Sequence, residues 1–199
     1  MFDLDSATNG RKLTGYYALG SDIVDNEEVY NSVNYGTSYF EGVFDGKGHS
    51  LTFTTVGGLF GKIEGATGLA IKNVNFKDCT ITQNTQYGYA QTLIGYLSSS
   101  SWFNLQNLSI SLSEQTYQNF KDDSAPNLYV VAYDMVNPGA NFLVCTNVMV
   151  EIDYNKMPTA EATSETKFIY VVSQLRENTS NFNVVALNYD ETKTYAREL

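Results

Sequence analysis

Apolar and polar positions alternate in short stretches along this chain, and one such stretch recurs. Leu69–Phe76, Phe103–Ile110 and Leu143–Val150 each carry an asparagine between two apolar alternations, and Val184–Tyr189 is a weaker fourth copy. Strict alternation of this kind is typical of half-buried β-strands, and long runs at helical spacing are missing. The pattern therefore predicts an all-β protein built from repeats.

The repeat carries an asparagine at a fixed place, and the polar segments between the copies vary. The asparagines are Asn73, Asn107, Asn147 and, in the weaker copy, Asn188, at intervals of 34, 40 and 41 residues. An apolar piece closed by a small residue precedes each copy: Leu59–Gly61, Leu93–Gly95, Val130–Ala132 and Val171–Ser173. The polar insertions Thr82–Tyr89, Ser113–Asn127 and Asn155–Lys167 are expected to be loops that leave one side of a regular scaffold.

Repeats of short strands with no helix between them favour a parallel β-helix over βαβ units or hairpin sheets. Successive coils would lie about 4.8 Å apart, so that equivalent residues stack on one another. We expect Asn73, Asn107 and Asn147 to form a ladder at one corner, because asparagine tolerates a left-handed backbone and its amides can bond between coils. The expected inward stacks are Ile71/Leu105/Cys145/Ala186, Leu51/Val74/Leu108/Val148 and Phe53/Phe76/Ile110/Val150.

Length and repeat spacing together predict a single domain over residues 1–199. A chain of this size can bury roughly 70% of its unfolded surface. We expect residues 1–15 to be an N-terminal cap or the edge of a segment of a longer chain, followed by about five coils. The coils are expected at roughly 16–54, 55–90, 91–127, 128–167 and 168–199.

One stretch resembles a known family. Phe40–Leu51, of the form F-x-G-x-F-D-G-x-G-H-x-L, followed by Gly58–Gly61, resembles the right-handed β-helix repeats with GLUG-type motifs. Those repeats occur in large bacterial surface and secreted proteins, including adhesins and the N-terminal parts of IgA-cleaving metallopeptidases. The resemblance covers roughly residues 16–112, and Ala132 and Ser173 depart from its glycine. It implies a right-handed solenoid of bacterial extracellular or cell-surface origin.

Composition agrees with strands and adds information on partners. The chain has 15 Tyr, 11 Phe and 15 Gly but only 3 Pro, which suits pleated strands with tight corners. Its net charge of −10 repels phosphate backbones and anionic lipid, so nucleic-acid and membrane-surface roles are not expected.

No apolar run long enough to cross a bilayer and no signal-peptide pattern is seen, which fits a cytosolic chain or a segment of a secreted one. Cys79 and Cys145 are expected to be buried free thiols.

Catalytic chemistry has little support in the sequence. His49 is the only histidine, and in the turn motif we expect it to be structural. Some β-helix enzymes use paired carboxylates, but the candidate acids do not recur at matched positions of adjacent coils. These acids are Asp122, Asp123, Asp134, Asp153 and Asp190. We therefore assign no catalytic residue, no metal site and no cofactor.

Aromatic residues give the binding candidates. Lys62, Tyr96, Tyr133 and Gln174 occupy equivalent places after the small residue of each apolar piece, on the expected outer face. Phe60, Ile94, Val131 and Val172 precede it, and we favour the core over the outer face for that row. Exposed tyrosines could contact a glycan or another protein. The candidate binding residues are Tyr96, Tyr133, Trp102, Tyr87 and Tyr89, with Tyr117 and Phe120 as further aromatics that could join a ligand surface or pack down on the scaffold.

Three functions are compatible with the sequence. The first is a non-enzymatic β-helix module of a bacterial surface or secreted protein, serving adhesion, glycan or protein contact, or spacing. The second is a carbohydrate-active β-helix enzyme, a polysaccharide lyase or a glycoside hydrolase. The third is a viral or phage appendage domain that trimerises through a flat face. An enzyme would need carboxylates clustered on one sheet.

Overall fold

The structure is a computed structural model of the chain. It describes residues 14–30, 40, 42–56, 58–60, 62–64, 69–82, 91–98, 102–120, 128–134, 142–157, 169–172 and 180–193.

The described residues form strands and one short helix. The elements are β1 (Tyr16–Ala18), β2 (Ile23–Tyr30), β3 (Val43–Asp45), β4 (Ser50–Thr55), β5 (Lys62–Glu64), β6 (Leu69–Ile81), β7 (Gln91–Thr92), β8 (Gly95–Ser98), β9 (Trp102–Leu112), α1 (Glu114–Asn119), β10 (Leu128–Asp134), β11 (Phe142–Asp153), β12 (Ile169–Val172) and β13 (Ser180–Leu187). Among them, no helix has the length and apolar character needed to cross a bilayer.

The strands belong to two sheets, and every observed pairing is parallel. In the described part of the chain, the larger sheet has eight strands, in the order β1-β3-β6-β9-β11-β13 with β2 and β4 paired beside this path. The smaller has five strands, in the order β12-β10-β8-β5 with β7 beside β10. From β4 onward the chain visits the two sheets alternately. The prediction of an all-β protein with parallel strands is confirmed.

The central strands have the register that the repeats predict. The pairing of β6 with β9 and of β9 with β11 gives the stacks Ile71/Leu105/Cys145, Val74/Leu108/Val148 and Phe76/Ile110/Val150. Each of these side chains is buried. Full burial of an aliphatic or aromatic side chain stabilises a fold by about 1.5–3 kcal/mol, so these rows are a main source of stability.

The predicted stacking of β4 is wrong by two residues. Leu51 pairs with Phe76 and not with Val74, and the register shifts again between Leu51 and Thr54. The cause is the turn between β3 and β4, whose residues lie over Asn73 and Val74. There the Gly48 N–H donates to the Asn73 carbonyl at 2.8 Å. Strand β4 therefore begins opposite Asn75, where Ser50 is its partner.

The predicted stacking of the last coil is also wrong. Ala186 pairs with Ile152, and the residue opposite Cys145 is Ser180. Strand β13 meets β11 through Phe182 and Val148, and the pairing continues to Leu187 and Asp153. Asn188 consequently lies beyond the end of β13 and does not extend the asparagine ladder.

The apolar pieces of the smaller sheet are buried along both of their rows. Leu59 and Phe60 donate their N–H groups to the carbonyls of Leu93 and Ile94, which donate in turn to Val130 and Val131. All six side chains are buried. The core placement favoured for Phe60, Ile94 and Val131 is confirmed, and the side chain of Val172 lies outside the described residues.

Helix α1 closes the end of strand β6. Ser113 caps the helix by accepting the Thr116 N–H at 3.3 Å. The Thr116 hydroxyl accepts the Ile81 N–H at 2.9 Å and donates to the Cys79 carbonyl at 3.1 Å, so a side chain takes the place of a neighbouring strand. Tyr117 and Phe120 are buried beneath this turn. Of the two alternatives that the sequence left open for these aromatics, the structure shows packing on the scaffold.

Both cysteines are buried free thiols, as predicted. Burial raises the pKa of the Cys79 thiol to about 12. The thiolate is the reactive form of cysteine, so Cys79 is inert in the folded chain.

Candidate functional site

Three asparagines of the larger sheet are joined by their side chains. The Asn107 Nδ2 donates to the Asn73 Oδ1 at 2.9 Å, and the Asn147 Nδ2 donates to the Asn107 Oδ1 at 3.0 Å. Each has a φ of 53°, in the left-handed region. Asparagine is among the few residues that accept this conformation at little cost. Each strand therefore turns a corner at its asparagine, and the amides bond from strand to strand.

The asparagine ladder ends on a buried carboxylate. The Asn73 Nδ2 donates to the Asp45 Oδ1 at 3.0 Å, and the Tyr16 hydroxyl and the Lys47 N–H also donate to Asp45. The Lys47 Nζ lies 3.1 Å from the same carboxylate. Burial opposes ionisation of Asp45, but these hydrogen bonds outweigh it and hold its pKa well below the usual range. Asp45 is therefore a fixed anion and cannot serve as a general acid.

His49 has a structural role in the turn before β4. Its Nδ1 lies 3.2 Å from the Asp22 Oδ1, which also accepts the Ser50 N–H at 2.9 Å. The Ser50 N–H and then His49 lower the pKa of Asp22. Through these contacts His49 and Ser50 connect the segment before β2 to the start of β4.

The outward face of the larger sheet carries a groove of about 330 Å³. We call it the polar groove. Serine, asparagine and charged side chains from consecutive strands line it: Ser50, Asn75, Lys77, Asp78, Ser109, Ser111, Glu151, Asp153 and Lys156, with Leu112 and Leu187. Asn75 and Ser109 are register partners, as are Ser111 and Glu151.

A β-bulge directs Asp78 into the polar groove. Phe76 pairs with Ile110 and Cys79 with Leu112, so Lys77 and Asp78 together oppose Ser111. Asp78 has a φ of 47°, and its N–H donates to the Ser111 Oγ at 3.0 Å. A bulge of this kind re-aims a side chain that would otherwise follow the alternation.

Lys156 spans three successive strands of the sheet. Its Nζ lies 2.8 Å from the Asp78 Oδ1 and donates to the Leu112 carbonyl at 3.1 Å. Lys156 follows β11, whereas Leu112 ends β9 and Asp78 belongs to β6. The ion pair thus fixes one end of the polar groove.

Asp153 and Asp190, two of the candidate acids, have hydrogen-bond partners. The Asp153 Oδ1 accepts the Asn188 Nδ2 at 2.8 Å and the Asn155 N–H at 3.0 Å. Asp190 accepts from the side chain and N–H of Thr192, which lower its pKa. Asp134 belongs to β10, with its side chain outside the description, and Asp122 and Asp123 lie outside the described residues.

The tyrosine candidates can be placed only by strand register. Tyr96 in β8 pairs with Lys62 and with Tyr133, as expected from the internal repeats of the sequence. Trp102 begins β9, opposite Phe142. The side chains of Tyr96, Tyr133 and Trp102 are not described, and Tyr87 and Tyr89 lie outside the described residues.

A second groove adjoins the polar groove along the asparagine ladder. We call it the amide groove. Its volume is about 400 Å³, and it is lined by Gly48, Asn73, Val74, Asn75, Asn107, Leu108, Ser109, Asn147 and Met149. Asn75 and Ser109 line both grooves, so the two grooves are continuous, and in the amide groove the asparagine side chains lie beside the apolar Val74, Leu108 and Met149. In the described part of the chain, no group of three histidine, cysteine or carboxylate side chains is placed to hold a metal ion.

Sequence analysis missed Asp78, Glu151 and Lys156 as groove residues. A signal for Asp78 does exist, because two polar residues separate the inward-facing Phe76 and Cys79, which strict alternation would not allow. Glu151 and Lys156 look like ordinary surface charges in the sequence. Only the register of distant strands brings them beside Asp78.

The chain matches no family model, and comparisons with curated proteins and with solved structures find no match.

Proposed function

We propose that this chain is a right-handed parallel β-helix of about five coils, of the kind found in bacterial surface and secreted proteins. Two observations support a solenoid: the chain visits the two sheets alternately, and each new strand pairs in parallel with the strand of the previous visit. The handedness and the bacterial exterior rest on the GLUG-type resemblance of Phe40–Leu51. A crystal structure tests both the coil path and its hand.

Our proposed function is non-enzymatic binding of a glycan. One observation carries it: the polar groove and the amide groove meet at Asn75 and Ser109, so one continuous surface combines apolar side chains with amide and hydroxyl groups. Such groups donate to and accept from sugar hydroxyls. Their positions are fixed by strand register and by the asparagine ladder, and such preorganisation lowers the entropic cost of binding.

The hydrogen bonding of two of the three carboxylates in the polar groove favours binding over catalysis. Hydrolysis by a pair of carboxyl groups needs one that is protonated and free to donate. In the polar groove, Asp78 is paired with Lys156, and Asp153 accepts two hydrogen bonds. These contacts give both carboxylates a structural role.

Glycan-array binding combined with a reducing-sugar assay tests this function. We expect binding of a neutral glycan without release of reducing ends. The double variant N75A/S109A should weaken binding at least tenfold, because it removes the groups shared by both grooves. Lys193→Ala, which changes an exposed side chain that lines neither groove, is the control. Failure of the wild type to bind any glycan, or equal weakening by the control, would overturn the proposal.

A carbohydrate-active enzyme is the alternative, and one observation favours it. Asp78, Glu151 and Asp153 all line the polar groove, so carboxylates are gathered on one face as such an enzyme requires. Turnover of a polysaccharide that Glu151→Gln or Asp153→Asn abolishes, with the fold retained, would establish this function and exclude simple binding.

A further inference from the structure

One apolar row runs through the larger sheet from β2 to β13. In register, its members are Ile23, Leu51, Phe76, Ile110, Val150 and Val184. The four inner members are buried, and Val150 is 0% exposed. The two terminal members differ from them, because Ile23 is only partly buried and Val184 is 44% exposed. Within the described residues, the row therefore ends in a partly buried side chain on one side and an exposed one on the other.

Among the described strands, the backbone pairing of the larger sheet ends at the same two places. In the described residues, β13 pairs with β11 on one side only. At the opposite end, β1 pairs only with β3 and β2 only with β4. Edge strands present unpaired N–H and C=O groups, which are a template for pairing with a further strand.

Exposed apolar side chains accompany both edges. At the β13 end, Leu187 and Tyr189 are exposed along with Val184. At the β1–β2 end, Tyr16 is exposed and Val24 is 70% exposed. These two surfaces, which we call the β13 end and the β2 end, are the described places where a large apolar side chain is exposed.

We propose that copies of this chain associate head to tail, the β13 end of one copy pairing with the β2 end of the next. Because the strands are parallel, β13 offers an incoming β2 the same kind of edge that β11 offers β13. Ile23 of one copy would then lie against Val184 of its neighbour and continue the apolar row. Val24 would face Val185 in that register.

Head-to-tail association of two copies suits these ends better than a two-fold dimer does. Pairing of two β13 ends would leave Ile23 and Val24 exposed in both copies and would not continue the row. Head-to-tail contact is heterologous, so association does not stop at a dimer unless the arrangement closes into a ring. Each copy carries a net charge of −10, which opposes association, and salt screens this repulsion. Association should therefore strengthen as salt concentration rises.

Light scattering on the wild type and on single-end variants tests the proposal. We expect the mean mass of the wild type to rise with protein and salt concentration and to pass the dimer. Val184→Asp and Val24→Asp each place a charge at one end, and each should weaken association at least tenfold. Thr146→Asp adds the same charge at an exposed site within β11 and should behave as the wild type.

Mixing the two variants gives the sharpest result. Val24→Asp keeps a functional β13 end and Val184→Asp keeps a functional β2 end, so the mixture should form dimers and nothing larger. Circular dichroism melting shows whether each variant is folded, and Val184→Thr and Val24→Thr replace any that is not. The proposal is overturned if the wild type stays monomeric at every protein and salt concentration, or if Val24→Asp associates as the wild type does. It is also overturned if the mixture forms no dimers, or if Thr146→Asp weakens association equally.

Discussion

Asn107 donates from its Nδ2 to the Asn73 Oδ1 at 2.9 Å, and both residues have the same left-handed φ of 53°. The two observations have one cause. The left-handed residue turns the strand, and its side chain then lies beside the equivalent side chain of the next strand. Asparagine serves both purposes, since it tolerates this backbone and its amide is at once donor and acceptor.

Asn107→Ala should destabilise the fold, because alanine loses both contributions. A left-handed alanine costs about 1–2 kcal/mol, and each lost hydrogen bond adds about 1 kcal/mol. We expect the free energy of unfolding to fall by about 2–4 kcal/mol, measured by urea denaturation.

Asn107→Gly separates the two contributions. Glycine accepts a positive φ without strain but has no amide, so it should recover the backbone part of the loss. If alanine and glycine are equally destabilising, the backbone conformation is not part of the cause. If neither variant differs from the wild type, the ladder does not stabilise the fold.

The carboxylate of Asp45, at the end of the ladder, should make the free energy of unfolding depend on pH in the acidic range. Its pKa is lower in the folded chain than in the unfolded one, so the unfolded chain binds the proton first as the pH falls. The contribution is therefore complete above about pH 5 and is lost as the pH falls below about 4, through the folded pKa.

Asp45→Asn should reduce stability at pH 7 by about 1.5–3 kcal/mol, the range for hydrogen bonds to a charged group. The difference from the wild type should narrow between about pH 4 and pH 2, which chemical denaturation over that range would measure. Asp190→Asn is the comparison, because Asp190 is an exposed carboxylate with a lowered pKa in a local turn. A constant difference across the range would show that the charge of Asp45 is not what stabilises the turn.

Gly46 should tolerate no side chain. A Cβ at this position would overlap the Val74 side chain and the Asn73 carbonyl, because the turn lies directly on the next strand. We expect Gly46→Ala to reduce the free energy of unfolding by about 2 kcal/mol or more. Gly20→Ala is the matched control, since nothing lies within 4 Å of its Cβ, and it should change stability by less than about 0.5 kcal/mol. Equal effects of the two changes would mean that the turn can move away from Val74.

The sequence predicted the central strands better than the ends of the sheet. Asn73, Asn107 and Asn147 follow a strict alternation, so the register of β6, β9 and β11 could be derived from spacing alone. Leu51 was misplaced because the length of the turn before it, and not its hydrophobic pattern, sets the start of β4. Asn188 was misplaced because Leu187 is the register partner of Asp153, which places Asn188 well beyond the position opposite Asn147.

The polar groove could not be predicted from the sequence, for a different reason. Asp78 comes from a bulge, and its partner Lys156 is 78 residues away. Alternation gives the face on which a residue lies, but an ion pair between strands depends on the exact register of three strands and on the length of each loop.

The Asp78–Lys156 ion pair should contribute measurably but modestly to stability. The two side chains are 49% and 28% exposed, so solvent screens their attraction. A double-mutant cycle with Asp78→Asn, Lys156→Met and the double variant should give a coupling energy of about 0.5–1 kcal/mol. Asparagine keeps a residue that tolerates the left-handed backbone of Asp78, so the cycle reports on the charge.

Salt and the single variants make this test specific. The coupling should shrink at about 0.5 M salt, where the screening length is only a few ångströms. Lys156→Met should also cost more than Asp78→Asn, because it removes the bond to the Leu112 carbonyl as well. A coupling that is zero at low salt, or one that salt leaves unchanged, would mean that the pair does not fix this end of the polar groove electrostatically.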